Sequence, residues 1–306
     1  MTLHSCETLG GFIYRRWLRP FPAMFLATAW IYGSASWLSD RPVGAVTWRG
    51  TLPGLLFVDS WMVSKLLSVD AKVIEGAFWS SFVEVKFYVI FGALYFVNRR
   101  GVILAISFLF FGPWLCTHAQ FGIPQTSDAV TLTLTKVLSL HHMGWFLIGA
   151  LLYHALYLQS VRSLVCSAFA VPFATGANSG ESRDVFMVCA VLHIVFVGAL
   201  FNKKIAGFFS SRFFLFWGFI SYPLYLIHQN MMAALTIKTH DTFNAIPGII
   251  MPIPGMIVVV IVAYAIAAYA EPAVRRRIVW ILSFRSRWSI AQNKKEPVAS
   301  LSSPPL

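Results

Sequence analysis

The sequence predicts an all-α membrane protein: a bundle of about eight transmembrane helices with both termini in the cytoplasm. The 306 residues are 58% hydrophobic and only 12% charged, whereas a soluble domain carries about 25% charged residues. Apolar segments approaching the roughly 20 residues that a span requires recur along the chain. Lys and Arg also differ in number between successive loops, as in multi-span proteins. These properties exclude a soluble globular enzyme, a disulfide scaffold and a disordered chain.

Eight apolar segments qualify as spans, although the fifth is short. They cover residues 20–38, 79–97, 101–118, 143–160, 163–176, 185–201, 213–234 and 248–270. With the N-terminus inside, 16 of the 24 Lys and Arg residues fall in inside segments and only seven in outside ones, which supports this orientation. A signal peptide is the alternative for the first segment, with Arg15–Arg19 as its basic region, but it would leave seven spans.

The remaining segments are expected to be short loops and a tail. Outside residues 39–78 contain the semi-apolar stretch Leu52–Leu67, which is typical of a helix lying on the membrane. The membrane domain covers residues 10–280. Residues 285–306 are basic and then rich in Ser and Pro, which predicts a disordered cytoplasmic tail. The net charge of +12 is explained by the inside loops, so we expect membrane lipids and no nucleic acid as partners.

Glu84 is the leading functional candidate in the second span. An ionisable group inside a span costs at least about 2.5 kcal/mol on insertion scales, so such groups are rare unless they have a role. Glu84 and Tyr88 are four residues apart and share a helix face, whereas Lys86 points elsewhere. We expect Lys86 to extend towards the outer surface. A carboxylate that only reaches water or caps a neighbour is the alternative for Glu84.

Ser221, Tyr225 and His228 form a polar stripe in the seventh span. Their spacing of four and three residues places them on one helix face, which we expect to point into the bundle. Histidine transfers protons near neutral pH, so the stripe suits general acid–base catalysis. Hydrogen bonding that only holds helices together explains the spacing equally well.

Arg16 and Arg19 precede the first span and are three residues apart. Both guanidinium groups can point the same way and bind phosphates through charge-assisted hydrogen bonds. The alternative is an anchor that only fixes the orientation of the span. The His and Cys residues lack metal-ligand spacing, so neither a metal site nor a permanently bound cofactor is expected.

Four stretches, in this order, resemble the motifs of the acyltransferase-3 family of bacterial membrane acyltransferases. Phe12–Pro22 contains the basic Arg-x-x-Arg with a following proline, and Trp79–Tyr88 reads Trp-Ser-x-x-x-Glu-x-x-Phe-Tyr. Ser221–His228 reads Ser-Tyr-x-x-Tyr-Leu-x-His, and Glu271–Arg276 is similar to the closing Glu-x-Pro-x-x-Arg-Arg. The resemblance extends over residues 10–280.

The resemblance implies a multi-pass enzyme of the bacterial inner membrane. Such an enzyme moves an acyl group, in most cases acetyl, from cytoplasmic acyl-CoA to a hydroxyl of a surface or periplasmic glycan or lipid-linked sugar. Acyl-CoA would then be a cosubstrate. The implied catalytic residues are Glu84, His228, Tyr225 and Ser221, and the implied donor-binding residues are Arg16 and Arg19.

The sequence departs from the family at its N-terminus. The family has ten spans, and the first carries an Arg and a His that acts as the base. This sequence begins where the third span would begin, so we expect it to lack two spans and that base, and to be slow or inactive. A non-enzymatic transporter or flippase of a lipid-linked sugar is the main rival, because it also requires polar residues within spans. An inactive remnant is the third interpretation.

Overall fold

The computed structural model describes residues 8–118, 136–179, 182–243 and 247–293, and these residues contain helices but no strand. For residues 113–118, 178–179 and 283–293 only the backbone is described. The helices are α1 (Leu9–Trp17), α2 (Phe21–Gly33), α3 (Trp48–Leu56), α4 (Ser60–Leu67), α5 (Phe78–Val97), α6 (Val102–His118), α7 (Met143–Leu158), α8 (Val161–Ser179), α9 (Arg183–Phe201), α10 (Lys203–Phe209), α11 (Arg212–Thr242), α12 (Pro252–Ala265) and α13 (Glu271–Asn293). A 3-10 turn, Leu140–His142, precedes α7, and a π-helical turn, Ile266–Ala270, joins α12 to α13.

Each of the eight predicted spans coincides with a helix. Among the described residues, three helices are long and apolar enough to cross a membrane: α5, α9 and the continuous helix Pro252–Leu282. Shorter apolar helices occupy Val102–Gly112 and Val161–Ala177. α13 continues to Asn293, so the first part of the predicted disordered tail is helical, and the rest of that tail lies outside the described residues.

A second helix, α1, precedes the first predicted span, which the structure shows as α2, ending at Gly33. α1 ends at Trp17 and α2 begins at Phe21, with prolines at positions 20 and 22. Proline has no N–H for the preceding turn, so it interrupts a helix but is tolerated in the first turn of the next one. The predicted segment, which started at residue 20, therefore contained only the second of these two helices.

The two pieces run one after the other along α5, in the direction opposite to α5. α1 packs on the second half of α5, where a Cβ added to Gly92 would lie 2.9 Å from the Phe12 ring. α2 approaches the first turn of α5, because Gly54 packs between Phe78 and Thr28. Together α1 and α2 therefore extend along most of α5.

α5 lies between two hydrophobic cores. Phe78 and Phe82 of α5 belong to the first core, which is built mainly from α2, α11, α12 and the π-helical turn. Tyr95 near its other end belongs to the second core, built from α6, α7 and α8. α9 contains no buried residue and packs mainly on α8. α5 therefore contacts both hydrophobic cores of the bundle.

The stretch that was predicted to lie on the membrane folds as two short helices joined in a hairpin. α3 and α4 are joined through Phe57, whose φ of 53° is left-handed and reverses the chain. Gly54 near the end of α3 touches Phe78, and Asp59 at the start of α4 pairs with Lys86. The hairpin therefore packs beside α5 through Gly54 and Asp59, while large apolar side chains such as Trp61 and Leu66 remain exposed, and we call Trp48–Leu67 the re-entrant hairpin. The end of the bundle at which α5 begins is the hairpin end.

Candidate functional site

One face of α5 carries the first elements of a site. Ser81, Glu84 and Tyr88 are three and four residues apart, so they follow one another along a helix face. Tyr88 donates a hydrogen bond from its hydroxyl to Glu84 Oε1, as the four-residue spacing predicted. Ser81 and Tyr88 are buried and Glu84 is half-buried, so the carboxylate keeps some access to whatever enters the bundle.

Arg16 and Arg19 bring positive charge to this face. Arg16 Cζ lies 5.2 Å from the centroid of the Tyr88 ring, a cation–π distance. The charges of both arginines act on the Tyr88 hydroxyl, and Arg19 is exposed. Tyr88 lies about 14 Å from the Val97 end of α5 at 1.5 Å per residue. Arg16 is therefore level with the middle of α5 rather than with its end.

Tyr222 of α11 completes the connection between α5 and the helix interruption. Its hydroxyl lies 3.4 Å from Ser81 Oγ and donates to the Pro20 carbonyl oxygen at 3.5 Å. The charges of Glu84 and Glu271 both act on this hydroxyl. Sequence reasoning missed Tyr222, although it directly follows Ser221 in the stretch quoted above. We use polar centre for the set Arg16, Arg19, Ser81, Glu84, Tyr88, Tyr222 and Glu271.

The predicted stripe on α11 does not join the polar centre as a unit. Ser221 is exposed, and its hydroxyl donates to the Gly218 carbonyl oxygen of its own helix at 2.8 Å. Tyr225 packs against the first core. Nδ1 of His228 lies 2.8 Å from the Tyr225 carbonyl oxygen, which fits donation by the ring. The three residues share a helix face, as predicted, but face different surroundings.

His228 and Glu84 are separated along the bundle. Tyr222 is level with Ser81, and from there α11 and α5 run in opposite directions. His228 is about 9 Å from Tyr222 along α11, and Glu84 is about 4.5 Å from Ser81 the other way. The axial separation of roughly 13 Å means that Glu84 does not contact or orient the His228 ring.

A second polar cluster, the Glu75 network, lies at the hairpin end. Glu75 is fully buried and accepts hydrogen bonds from the backbone N–H of Asn230, at 3.1 and 3.2 Å, and from its side-chain Nδ2 at 3.2 Å. Arg41 is also buried and donates to the Leu38 carbonyl oxygen and the Ser34 hydroxyl. Its Nη1 is buried and has no hydrogen-bond partner within the described part of the chain.

Burial dominates the electrostatics of the Glu75 network. Removal from water raises the pKa of Glu75 to about 7, against the lowering effect of the Asn230 hydrogen bond and the Arg41 charge. The same loss of water lowers the pKa of Arg41. Neither Glu75 nor Arg41 was predicted as a functional residue, because both lie outside the predicted spans. The sequence around Glu75 offers one local indication, an acidic residue between apolar ones.

The prediction that Lys86 extends towards the outer surface is wrong, because its ammonium group has partners inside the protein. Its ammonium group forms an ion pair with Asp59 and donates to Ser139 Oγ at 2.9 Å. It lies on the face of α5 opposite Glu84, so it links α5 to the re-entrant hairpin and to the turn before α7. It takes no part in the polar centre.

The polar centre offers a carboxylate held by a tyrosine hydroxyl, two guanidinium groups and an interrupted helix. These groups can bind an anionic ligand and accept a proton from a neighbouring hydroxyl. The described residues contain no group of three or more His, Cys, Asp or Glu side chains that could hold a metal ion. No protein family, curated protein or solved structure matches the chain.

Proposed function

We propose that the chain is an acyltransferase of the bacterial inner membrane. It would move an acyl group, in the first instance acetyl, from cytoplasmic acyl-CoA to a hydroxyl of a surface or periplasmic glycan or lipid-linked sugar. The observation that carries the proposal is that residues from three of the four family-like stretches are in contact at the polar centre: Arg16 with Tyr88, Tyr88 with Glu84, and Ser81 with Tyr222. Arg19 and Glu271, which is in the fourth stretch, act on this centre through their charges.

The proposed reaction assigns a role to each group. The hydroxyl oxygen of the acceptor attacks the thioester carbonyl carbon, a C–O bond replaces the C–S bond, and the hydroxyl proton ends on the CoA sulfur. Glu84 accepts that proton first, and a base of this kind typically contributes about 10²–10⁴-fold in rate. Tyr88 orients the carboxylate through its hydrogen bond. Arg16 and Arg19 hold the phosphates of the donor.

A direct assay tests this function. The purified protein in liposomes receives acetyl-CoA and a lipid-linked sugar or surface polysaccharide, and both ester formation and free CoA thiol are measured. We expect transfer to be slow, as the sequence predicted, with one ester formed per thiol released, and we expect Glu84→Gln to abolish both. Asp70→Asn is the matched control, because Asp70 is exposed and pairs with Lys72, which is not part of the polar centre. If the Glu84→Gln protein transfers the acyl group at the parent rate, Glu84 is not the base, and His228 becomes the candidate.

The proposal includes eight spans with both termini in the cytoplasm. The coincidence of a helix with every predicted span supports this count. Reporter fusions after residue 180 and after Arg277 test it, because the first should report the outside and the second the inside. The same side for both would contradict the proposed topology.

A transporter or flippase of a lipid-linked sugar is the second candidate. The observation in its favour is the interruption between α1 and α2 beside charged residues, since transporters often bind substrates at discontinuous helices. Movement of a fluorescent lipid-linked sugar between the leaflets of liposomes, without any ester formed from acetyl-CoA, would favour this candidate over acyl transfer.

A further inference from the structure

The re-entrant hairpin covers the polar centre at the hairpin end of the bundle. Gly54 packs so closely that a Cβ at this position would lie 2.8 Å from the Phe78 ring and 3.1 Å from Thr28 Oγ1. Phe78 and Thr28 are almost completely buried beneath it. Ser81 of the polar centre lies one helical turn further along α5. The hairpin is therefore one of the layers that cover Ser81 at this end of the molecule, together with the segment that precedes α5.

The tip of the hairpin also reaches the helix interruption. The Phe57 ring lies 6.4 Å from the ring of Phe21, the first residue of α2. Phe21 stacks in turn on Trp17, the last residue of α1, at 4.1 Å. A displacement of the tip would thus uncover the point at which α1 and α2 meet.

One ion pair fastens this tip to the bundle. Lys86 binds both Asp59, next to the tip, and Ser139, before α7. The side chains of Lys86 and Asp59 are only 14% and 23% exposed. A pair that is shielded from water is costly to break one partner at a time, because the remaining charge is left without compensation. The contact therefore holds three segments together.

Backbone strain is concentrated in the same place. Among the described residues, four that are not glycine have a positive φ. Three of them are Phe57 at the tip, Ser68 after α4, and Ser139, whose hydroxyl accepts a hydrogen bond from Lys86. A left-handed conformation costs a non-glycine residue about 1–2 kcal/mol. Such strain persists only where surrounding contacts enforce it, and it is typical of clamps and switches.

We propose that the re-entrant hairpin, Trp48–Leu67, is a lid over the polar centre and that the Asp59–Lys86 ion pair holds it closed. When the pair breaks, the tip moves away from Phe21, Phe78 and Thr28 and admits a polar ligand from the hairpin end. The lid does not depend on acyl transfer, because a transporter would need the same access.

Thiol labelling at Thr28, beneath the hairpin, measures the opening. The four native cysteines are replaced by alanine, Thr28→Cys is introduced, and the rate of reaction with a charged methanethiosulfonate reagent is recorded in detergent. We expect Asp59→Asn or Lys86→Gln to raise this rate at least tenfold. The reversed pair, Asp59→Lys with Lys86→Asp, should restore slow labelling.

Two controls separate lid opening from general loosening. Asp70→Asn removes one partner of an exposed ion pair in the same segment, at 3.8 Å from Lys72, and should leave the rate unchanged. Gly54→Ala forces the hairpin off Phe78 without changing charge and should accelerate labelling. Gly33→Ala should not, because a Cβ there meets nothing within 4 Å. Equal labelling rates in the parent, Asp59→Asn and Gly54→Ala proteins would overturn the lid.

Discussion

Glu75 and Glu84 are close in sequence, one just before α5 and one within it, but their surroundings differ. Glu75 is fully buried, and Asn230 supplies fixed donors to both of its oxygens. Glu84 is half-buried and accepts a hydrogen bond from Tyr88. The fold encloses the first carboxylate completely, whereas the second remains partly accessible. This contrast separates a structural carboxylate from one that is available to a ligand.

The charges around the two carboxylates follow the same division. Arg41 lies in the interior near Glu75, with two of its nitrogens bonded to Leu38 and Ser34. Arg19, near Glu84, is exposed. A buried ionic group contributes mainly when its partners are fixed by the fold. An exposed guanidinium can instead bind phosphate or carboxylate groups of a ligand.

The largest effect that we expect comes from Glu84→Gln. Acyl transfer should fall by about 10²–10⁴-fold, as for the loss of a general base, while the melting temperature changes little. Initial rates and thermal melts of the same preparation check both statements. Glu75→Gln is the matched variant, and a greater loss of rate there than in Glu84→Gln would reverse the comparison.

Removal of the buried carboxylate should affect stability instead. Glu75→Ala leaves the Asn230 donors unpaired and the Arg41 charge without compensation, so we expect the free energy of unfolding to fall by about 3 kcal/mol. Thermal or detergent unfolding measures this change. A loss below about 0.5 kcal/mol, as for an ordinary surface substitution, would contradict the structural role of Glu75.

Donor binding should weaken by an intermediate amount. Arg19→Ala removes a charged hydrogen-bond donor, and we expect acyl-CoA affinity to fall by about 1.5–3 kcal/mol. Binding of a non-hydrolysable acyl-CoA analogue measures it. Arg49→Ala, which removes an exposed charge on the re-entrant hairpin, is the control. If Arg19→Ala and Arg49→Ala bind the acyl-CoA analogue equally well, Arg19 does not bind the donor and only fixes the orientation of the first span.

The stability contributed by Glu75 should depend on pH. Because its folded pKa of about 7 lies above the ordinary 4.5, the folded protein binds this proton more tightly than the unfolded chain does. The stabilisation is therefore complete below about pH 4.5 and is lost as the pH rises through 7. The linked change is on the order of 1–3 kcal/mol. Melting temperatures between pH 4.5 and 8 should decline less in Glu75→Gln, and identical slopes would refute the assignment.

The smallest effects distinguish two neighbouring residues on α11. Tyr222→Phe removes the hydroxyl that contacts Ser81 and Pro20. We expect the activation free energy of acyl transfer to rise by about 1 kcal/mol, which lowers the rate roughly fivefold. Ser221→Ala should change rate and stability by less than about 0.5 kcal/mol, since its hydroxyl bonds only its own helix. A larger effect from Ser221→Ala would favour the polar stripe over the polar centre.

The sequence alone determined the features that depend on residues close together in the chain: the positions of the helices and the side chains that share a helix face. Eight apolar segments, the fifth of them short, predicted eight helices, and the structure has a helix at each position. The reason for the prediction is that a segment which crosses a bilayer must satisfy its own backbone hydrogen bonds. The contact between Glu84 and Tyr88 followed from residues four apart sharing a face. The common face of Ser221, Tyr225 and His228 followed in the same way.

Only the tertiary structure decided which helix faces meet. The Glu75–Asn230 contact joins residues 155 positions apart, and no local spacing encodes such a contact. The interruption at Pro20 moved Arg16 to the depth of Tyr88, and packing on Phe78 placed the hairpin beside α5. Helical periodicity fixes the angle of a side chain around its own axis. The depth of that side chain and the partner it meets depend on how helices distant in sequence pack together.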